Sequence, residues 1–207
     1  MVRLLIATTN PAKLAEYRLL LRELPLEPVS LRDLRITDAP EESGATFAEN
    51  ALVKARFYFE RAGIATLADD GGLEIDALGG EPGVRSHRWL PHGDNSDRAL
   101  VDEVIRRMRG VETAQRTARI RAVLALIFSD GGEIRERIAE AAIEGVIAER
   151  AYPEIRPGFP YRAVLVLPER NRYLGELGDR EEAQLSQRRI ALKQLWPELE
   201  RLARLAS

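Results

Sequence analysis

Short apolar runs alternate with helix-period segments along most of the chain. Arg3–Thr8 is an apolar run that predicts a buried strand. Asn10-Pro11 then predicts a helix start, with asparagine as N-cap and proline at the first helical position. Leu14, Tyr17, Leu21 and Leu24 recur at helical spacing and give that helix a core face. Leu26–Ser30 predicts a second strand, and the loop around Asp38–Gly44 is acidic. Thr46-Phe-Ala-Glu49 is a capping box that starts a second helix, running to about Gly63. Ala65–Ala68 predicts a short strand ending on Asp69-Asp70-Gly71-Gly72.

The pattern then loosens. Leu78–Gly83 is a turn-rich connection, and Asn95–Arg109 predicts another helix. Thr117–Phe128 and Glu133–Ile147 flank Ser-Asp-Gly-Gly and predict a long antiparallel hairpin. Tyr152–Pro160 is a loop carrying three prolines. Ala163–Leu167 predicts a strand, and Ser186–Leu205 a closing helix that Pro197 breaks or kinks. Helices and strands interleave around an antiparallel hairpin, so the expected class is α/β with a mixed sheet and helices packed on it. No repeat, low-complexity tract or linker divides the chain, and one domain over 1–207 is expected.

Composition narrows the function classes. With 207 residues and 45% hydrophobic positions the chain can bury a sizeable core. A net charge of −2 gives no general attraction to nucleic acid or an anionic membrane. The absence of cysteine removes disulfides, thiolate nucleophiles and Cys-rich zinc sites, and suits a reducing, cytoplasmic setting. The N-terminus lacks the apolar stretch of a signal peptide, and no run reaches the roughly 18 residues of a membrane helix. Of 31 basic residues only Lys13, Lys54 and Lys193 are lysines, so a compact point charge stands out wherever one occurs.

Three segments hold candidate chemistry. Thr8-Thr-Asn-Pro-Ala-Lys13 lies at a strand-to-helix junction, where helix N–H groups, Thr8, Thr9, Asn10 and Lys13 suit a phosphate. A well-capped helix start with an exposed lysine is the competing reading. Glu41-Glu42 sits in a loop, where carboxylates are ordinarily just solvated, and Asn50 and Lys54 share a helix face at i, i+4. Asp69-Asp70 places two repelling carboxylates side by side, which is costly without a cation. Hard oxygens at a strand end are what magnesium takes, with substrate phosphates completing the shell; turn-forming aspartates are the alternative. His87 and His92 are too few for a typical zinc cluster. The chain has no G-x-S-x-G, no Walker A loop, no G-x-G-x-x-G and no aromatic-and-basic stripe.

Taken in register, Ala7-Thr-Thr-Asn-Pro-Ala-Lys13, Thr46-Phe-Ala-Glu-Asn-Ala-Leu-Val-Lys-Ala55, Ala68-Asp-Asp-Gly-Gly-Leu73 and Leu78-Gly-Gly-Glu-Pro-Gly-Val84 have the order and spacing of one family. Over about residues 3–196 the chain resembles the inosine triphosphate pyrophosphatases, house-cleaning enzymes that hydrolyse non-standard purine nucleoside triphosphates. The resemblance implies a two-lobed α/β fold with a long mixed sheet and a central cleft, a homodimer, and magnesium-dependent release of pyrophosphate from a nucleoside triphosphate. By position, Thr8, Thr9, Asn10 and Lys13 would hold phosphates, and Lys54 and Arg88 would face the polyphosphate. Glu41, Asp69 and Asp70 would bind metal, with Asp70 as general base, its pKa pushed up by the neighbouring carboxylate. Gly71 stands where the family has serine.

The base-reading half departs from the family. Gly-Phe-Gly-Tyr-Asp-Pro becomes Gly158-Phe-Pro-Tyr-Arg-Ala163, which keeps Phe159 and Tyr161 but exchanges an aspartate for Arg162. Ser-His-Arg becomes Ser186-Gln-Arg188, which places Gln187 beside Arg188, and an expected lysine is Ala183. Loss of polar base-reading groups predicts altered or relaxed specificity. Three readings follow: an active pyrophosphatase with changed base preference, a catalytically weakened or inactive nucleotide-binding relative, and a phosphatase for another phosphorylated metabolite.

Overall fold

The protein is described by a computed structural model that covers residues 1–91 and 93–204, with side chains for all of these but Asp179 and Arg180. His92 lies outside the described residues. Seven strands are ordered β2-β1-β3-β4-β5-β6-β7: β1 Val2–Ala7, β2 Leu26–Ser30, β3 Thr66–Ile75, β4 Thr117–Asp130, β5 Glu133–Ile147, β6 Leu165–Leu167 and β7 Arg172–Tyr173. Among the described residues six α-helices accompany them: α1 Pro11–Leu20, α2 Phe47–Ala62, α3 Asp97–Arg107, α4 Asp179–Leu185, α5 Gln187–Gln194 and α6 Trp196–Arg204. The α/β class and the mixed sheet are as expected: β1 pairs parallel with β2 and β3, while β6 pairs antiparallel with β5 and β7.

The chain divides into two compact units. The first takes residues up to Asp70, then 122–141, and the chain from Arg188 on. Its core gathers Leu4 and Ile6 of β1, Tyr17 and Leu21 after the α1 face, Leu124, Leu126 and Phe128 of β4, and Leu192, Leu195 and Leu199 near the C-terminus. The helical spacing of Tyr17 and Leu21 is thereby explained: both are fully buried. The second unit takes Gly71–Arg121 and Ala142–Gln187. It packs Leu73 and Ile75 against Leu100, Val101 and Val104 of α3, with Tyr161, Val164 and Leu165 in the same cluster.

Several boundaries differ from the sequence reading, each for a physical reason. β3 does not end at Ala68 but continues to Ile75, because β4 flanks it where its pairing with β1 stops at Ala7 and Ala68. The glycine at position 72 is required there: a Cβ would lie 1.9 Å from Ser86 Oγ, which accepts from the Leu73 N–H at 3.0 Å. α3 starts at Asp97, since Ser96 rather than Asn95 supplies the cap by accepting from the Ala99 N–H. The hairpin turn closes on Gly131 and Gly132, both at positive φ. The expected single helix over Ser186–Leu205 is two, α5 and α6, because the chain bends at Leu195, and α4 before Ser186 is a helix the sequence pattern did not predict. Pro197 sits in the first turn of α6, where its missing N–H costs nothing.

Candidate active site

β1, β2 and β3 are parallel, and the chain leaves β1 towards β2 on one side and returns to β3 on the other. The carboxyl end of β1 is therefore a topological switch point, the place where open parallel sheets bind ligands. Thr8–Lys13 follows β1 there, and Asp69 and Asp70 follow Ala68, the last β3 residue paired with β1. A cavity of about 750 Å³ opens beside Thr8, Thr9 and Asn10, backed by Leu31, Ile36 and Tyr58.

The helix start is more fully capped than a bare phosphate cradle. Asn10 Oδ1 accepts from the N–H groups of Ala12 (2.9 Å) and Lys13 (3.2 Å), and Thr8 Oγ1 accepts from the Asn10 N–H at 3.1 Å. Two of the helix donors expected to face an anion are thus already used, which leaves side-chain hydroxyls and lysines as the principal groups for phosphate.

The two adjacent aspartates have opposite surroundings. Asp69 is buried with every oxygen engaged: Oδ1 accepts from the Lys13 ammonium, while Oδ2 accepts from Tyr17 Oη and Arg188 Nε, each at 2.6 Å. Burial by itself would raise its pKa, but Arg188 and Lys13 outweigh burial and hold the carboxyl far below the usual range. Arg188 also approaches Glu16 at 3.4 Å. Asp70 Oδ1 accepts from Lys54 at 3.0 Å, whereas Oδ2 is buried with no hydrogen-bond partner among the described residues. Burial raises the Asp70 pKa, with Lys54 opposing. The direction agrees with the sequence reading but the cause differs: desolvation dominates, not Asp69. Lys54 is raised, because Asp70 and Glu42 outweigh the opposing effect of burial.

The expected metal set of Glu41, Asp69 and Asp70 is not brought together. Among the described residues no three acidic or histidine side chains converge on a metal position. Both Asp69 oxygens are engaged by Lys13, Tyr17 and Arg188, and Glu41 is exposed. Glu42 is the loop carboxylate that reaches Lys54, at 3.3 Å. Its loop is pinned by the fully buried Asn50, whose Oδ1 accepts from the Gly44 N–H at 2.8 Å; a Cβ on Gly44 would lie 2.7 Å from that oxygen. Asn50 and Lys54 do share a face of α2, as their spacing predicts. Glu42 could not be told from Glu41 in the sequence, because loop conformation decides which of two neighbours points inward.

In the second unit the base-side residues are brought close, with one the sequence reading missed. Arg162 is buried, its guanidinium carbon 4.2 Å from the centre of the Phe159 ring, and it is ion-paired to the buried Glu182. Arg156 holds the other Glu182 oxygen. Where the resemblance leads one to expect an aspartate, Arg162 and Arg156 instead share the carboxylate of Glu182, one residue before Ala183. The Tyr161 hydroxyl donates to the Ser86 carbonyl and serves the fold. Gln187 is buried and its Oε1 has no hydrogen-bond partner among the described residues. Gly71 is buried within β3, and Arg88 is exposed after a short turn.

Comparison with known proteins gives one consistent answer. The Ham1 family matches residues 4–198. The dITP/XTP pyrophosphatase of Bacillus subtilis is 37% identical over 191 residues, covering 92% of this chain and 93% of that protein. The enzyme of the same name from Thermus thermophilus is 39% identical over 194 residues, covering 94% and 90%. Among solved structures, a HAM1 protein from Coxiella burnetii superposes with a TM-score of 0.83 at 33% identity, covering 96% of this chain and 98% of that one. A nucleoside-triphosphatase (dITP/XTP pyrophosphatase) from Mycobacterium abscessus gives 0.75 at 34%, covering 94% and 99%. With a switch-point site, an ordered run of family motifs and relatives along nearly its whole length, this chain belongs to the Ham1 family.

Proposed function

We propose that this Ham1-family enzyme is a magnesium-dependent nucleoside-triphosphate pyrophosphatase, cleaving a nucleoside triphosphate to the monophosphate and pyrophosphate. The observation that carries the reading is Asp70: a buried carboxylate with one oxygen held by Lys54 and the other without a hydrogen-bond partner, at the switch point of a parallel sheet. A buried, unpartnered oxygen is costly to keep, and water activation or metal binding gives it a use.

The residues present fit a hard divalent cation. Around the site three cations, Lys13, Lys54 and Arg188, face four carboxylates, Glu16, Glu42, Asp69 and Asp70. That balance is net negative and would repel a polyphosphate without added positive charge. Asp70 Oδ2 and Glu42 are the oxygens that would hold the ion, with waters and substrate phosphates as its remaining ligands. When bound, magnesium supplies Lewis-acid stabilisation of charge on the phosphates. Asp70 orients a water for attack at the α-phosphorus and takes its proton. Lys13 and Lys54 bind the polyphosphate; Arg88 is a further cation only by the family resemblance. The Thr8 and Thr9 hydroxyls are the donors beside the cavity.

Base preference is a separate matter. Arg162, set over Phe159 and sharing Glu182 with Arg156, would offer the base a guanidinium–carboxylate edge where the resemblance implies an aspartate. A changed or relaxed preference among bases follows. A homodimer in the cytoplasm is part of the same family-based reading; among the described residues no helix is long and apolar enough to cross a membrane. A pyrophosphate-release screen over standard and non-standard triphosphates with magnesium tests the function, with Asp70→Asn as control. Turnover of at least one triphosphate, lost in the variant, is expected; no turnover of any would overturn the reading.

A further inference from the structure

One buried group in the first unit has no task in the reaction above. Tyr17 is fully buried, and its hydroxyl is spent on Asp69, 52 positions away in sequence. It lies one helical turn after Lys13, so the two share a face of α1 and meet the same carboxylate. Arg188, at the start of α5, reaches that carboxylate from a third direction. Three donors on two oxygens lock the rotation of the carboxylate. A carboxylate so locked in turn fixes where Lys13 and Arg188 sit.

We propose that Tyr17 and Asp69 form a positioning pair that presets Lys13 and Arg188 for polyphosphate, and that Asp69 holds no metal. The proposal rests on the polyphosphate reading of the site. Both cations are buried and hydrogen-bonded before any ligand arrives, so binding spends little on ordering them. Side-chain order of this kind acts on substrate affinity, whereas loss of a metal ligand acts on the metal requirement. A merely structural buried cluster would act on neither and only on stability.

The test uses the full chain with Tyr17→Phe and Asp69→Asn. Steady-state kinetics on dITP give KM and kcat at saturating magnesium and the magnesium concentration for half activation; thermal melting is measured alongside. Tyr17→Phe is expected to raise KM roughly fivefold, about the worth of one buried hydrogen bond, with kcat within about twofold. Asp69→Asn is expected to raise KM by roughly tenfold or more, as loss of a charge-assisted pair would. In both, half activation by magnesium stays at the wild-type value. A shift of that value in Asp69→Asn would show a metal ligand and overturn the proposal. A Tyr17→Phe protein with a lower melting temperature and unchanged KM would show a structural role only, with the same consequence. Calorimetric titration with inorganic tripolyphosphate keeps this separate from the catalytic assignment. Should the wild type turn over no triphosphate, weaker tripolyphosphate binding by Tyr17→Phe still supports the positioning pair, and equal binding refutes it.

Discussion

Asp69 and Asp70 are neighbours in the chain, yet their replacement by asparagine should have opposite effects on stability. Asp69→Asn keeps the shape but removes the charge that balances Lys13 and Arg188, both buried. Breaking a buried pair by removing one partner costs about 3–5 kcal/mol. For a chain of this size, at about 2–4 °C per kcal/mol, the melting temperature should fall by about 6–20 °C. Asp70→Asn instead removes a carboxylate that burial disfavours in its charged form, while Lys54 retains Glu42 at 3.3 Å. Its melting temperature should hold or rise, while turnover falls by roughly 10²-fold or more. The pH dependence separates them further. The depressed Asp69 pKa contributes stability that is present above the unfolded-state value, about 3.9, and is lost as pH falls below it. The raised Asp70 pKa has the opposite sign: the folded state gives up stability as pH rises from about 3.9 through the higher folded value. Urea and thermal melts of both variants from pH 3 to 8, in magnesium-free buffer, measure this. Equal losses in the two variants, or a larger loss for Asp70→Asn, would refute the electrostatic division.

Two further outcomes follow from the geometry. Glu42→Gln should raise the magnesium concentration for half activation severalfold, whereas Glu41→Gln, on an exposed residue, should leave it unchanged; a metal titration of turnover checks both. Glu182→Gln should destabilise the protein by about 3 kcal/mol by stripping buried Arg162 of its carboxylate, and should change the ratio of kcat/KM among bases.

Much of the fold was legible in local chemistry. The Thr46 capping box, the Asn10-Pro11 helix start and the paired glycines of the β4–β5 turn act through neighbours in sequence, and each lies where its signature predicts. The candidate site was legible as a set of segments, because Thr8–Lys13, Lys54 and Asp69–Asp70 bring phosphate- and cation-binding groups in family order. What a single sequence conceals is which side chain of a pair faces inward and how charges are shared. Glu41 and Glu42 are equivalent as letters, and tertiary contacts such as the Asn50–Gly44 hydrogen bond set the loop that brings Glu42 to Lys54.

The chain by itself determined an α/β protein with a phosphate-directed N-terminal segment and an altered base-reading segment, since periodicity, caps and motif spacing are properties of nearby residues. The tertiary structure decided the electrostatics. Packing removed water from Asp69 and Asp70 alike, then gave one three donors and the other a single lysine. It also gave the buried Arg162 a carboxylate partner in Glu182, 20 positions away. Desolvation and long-range ion pairing depend on what the fold brings within a few ångströms, and that information lies between distant segments of the chain rather than in any one of them.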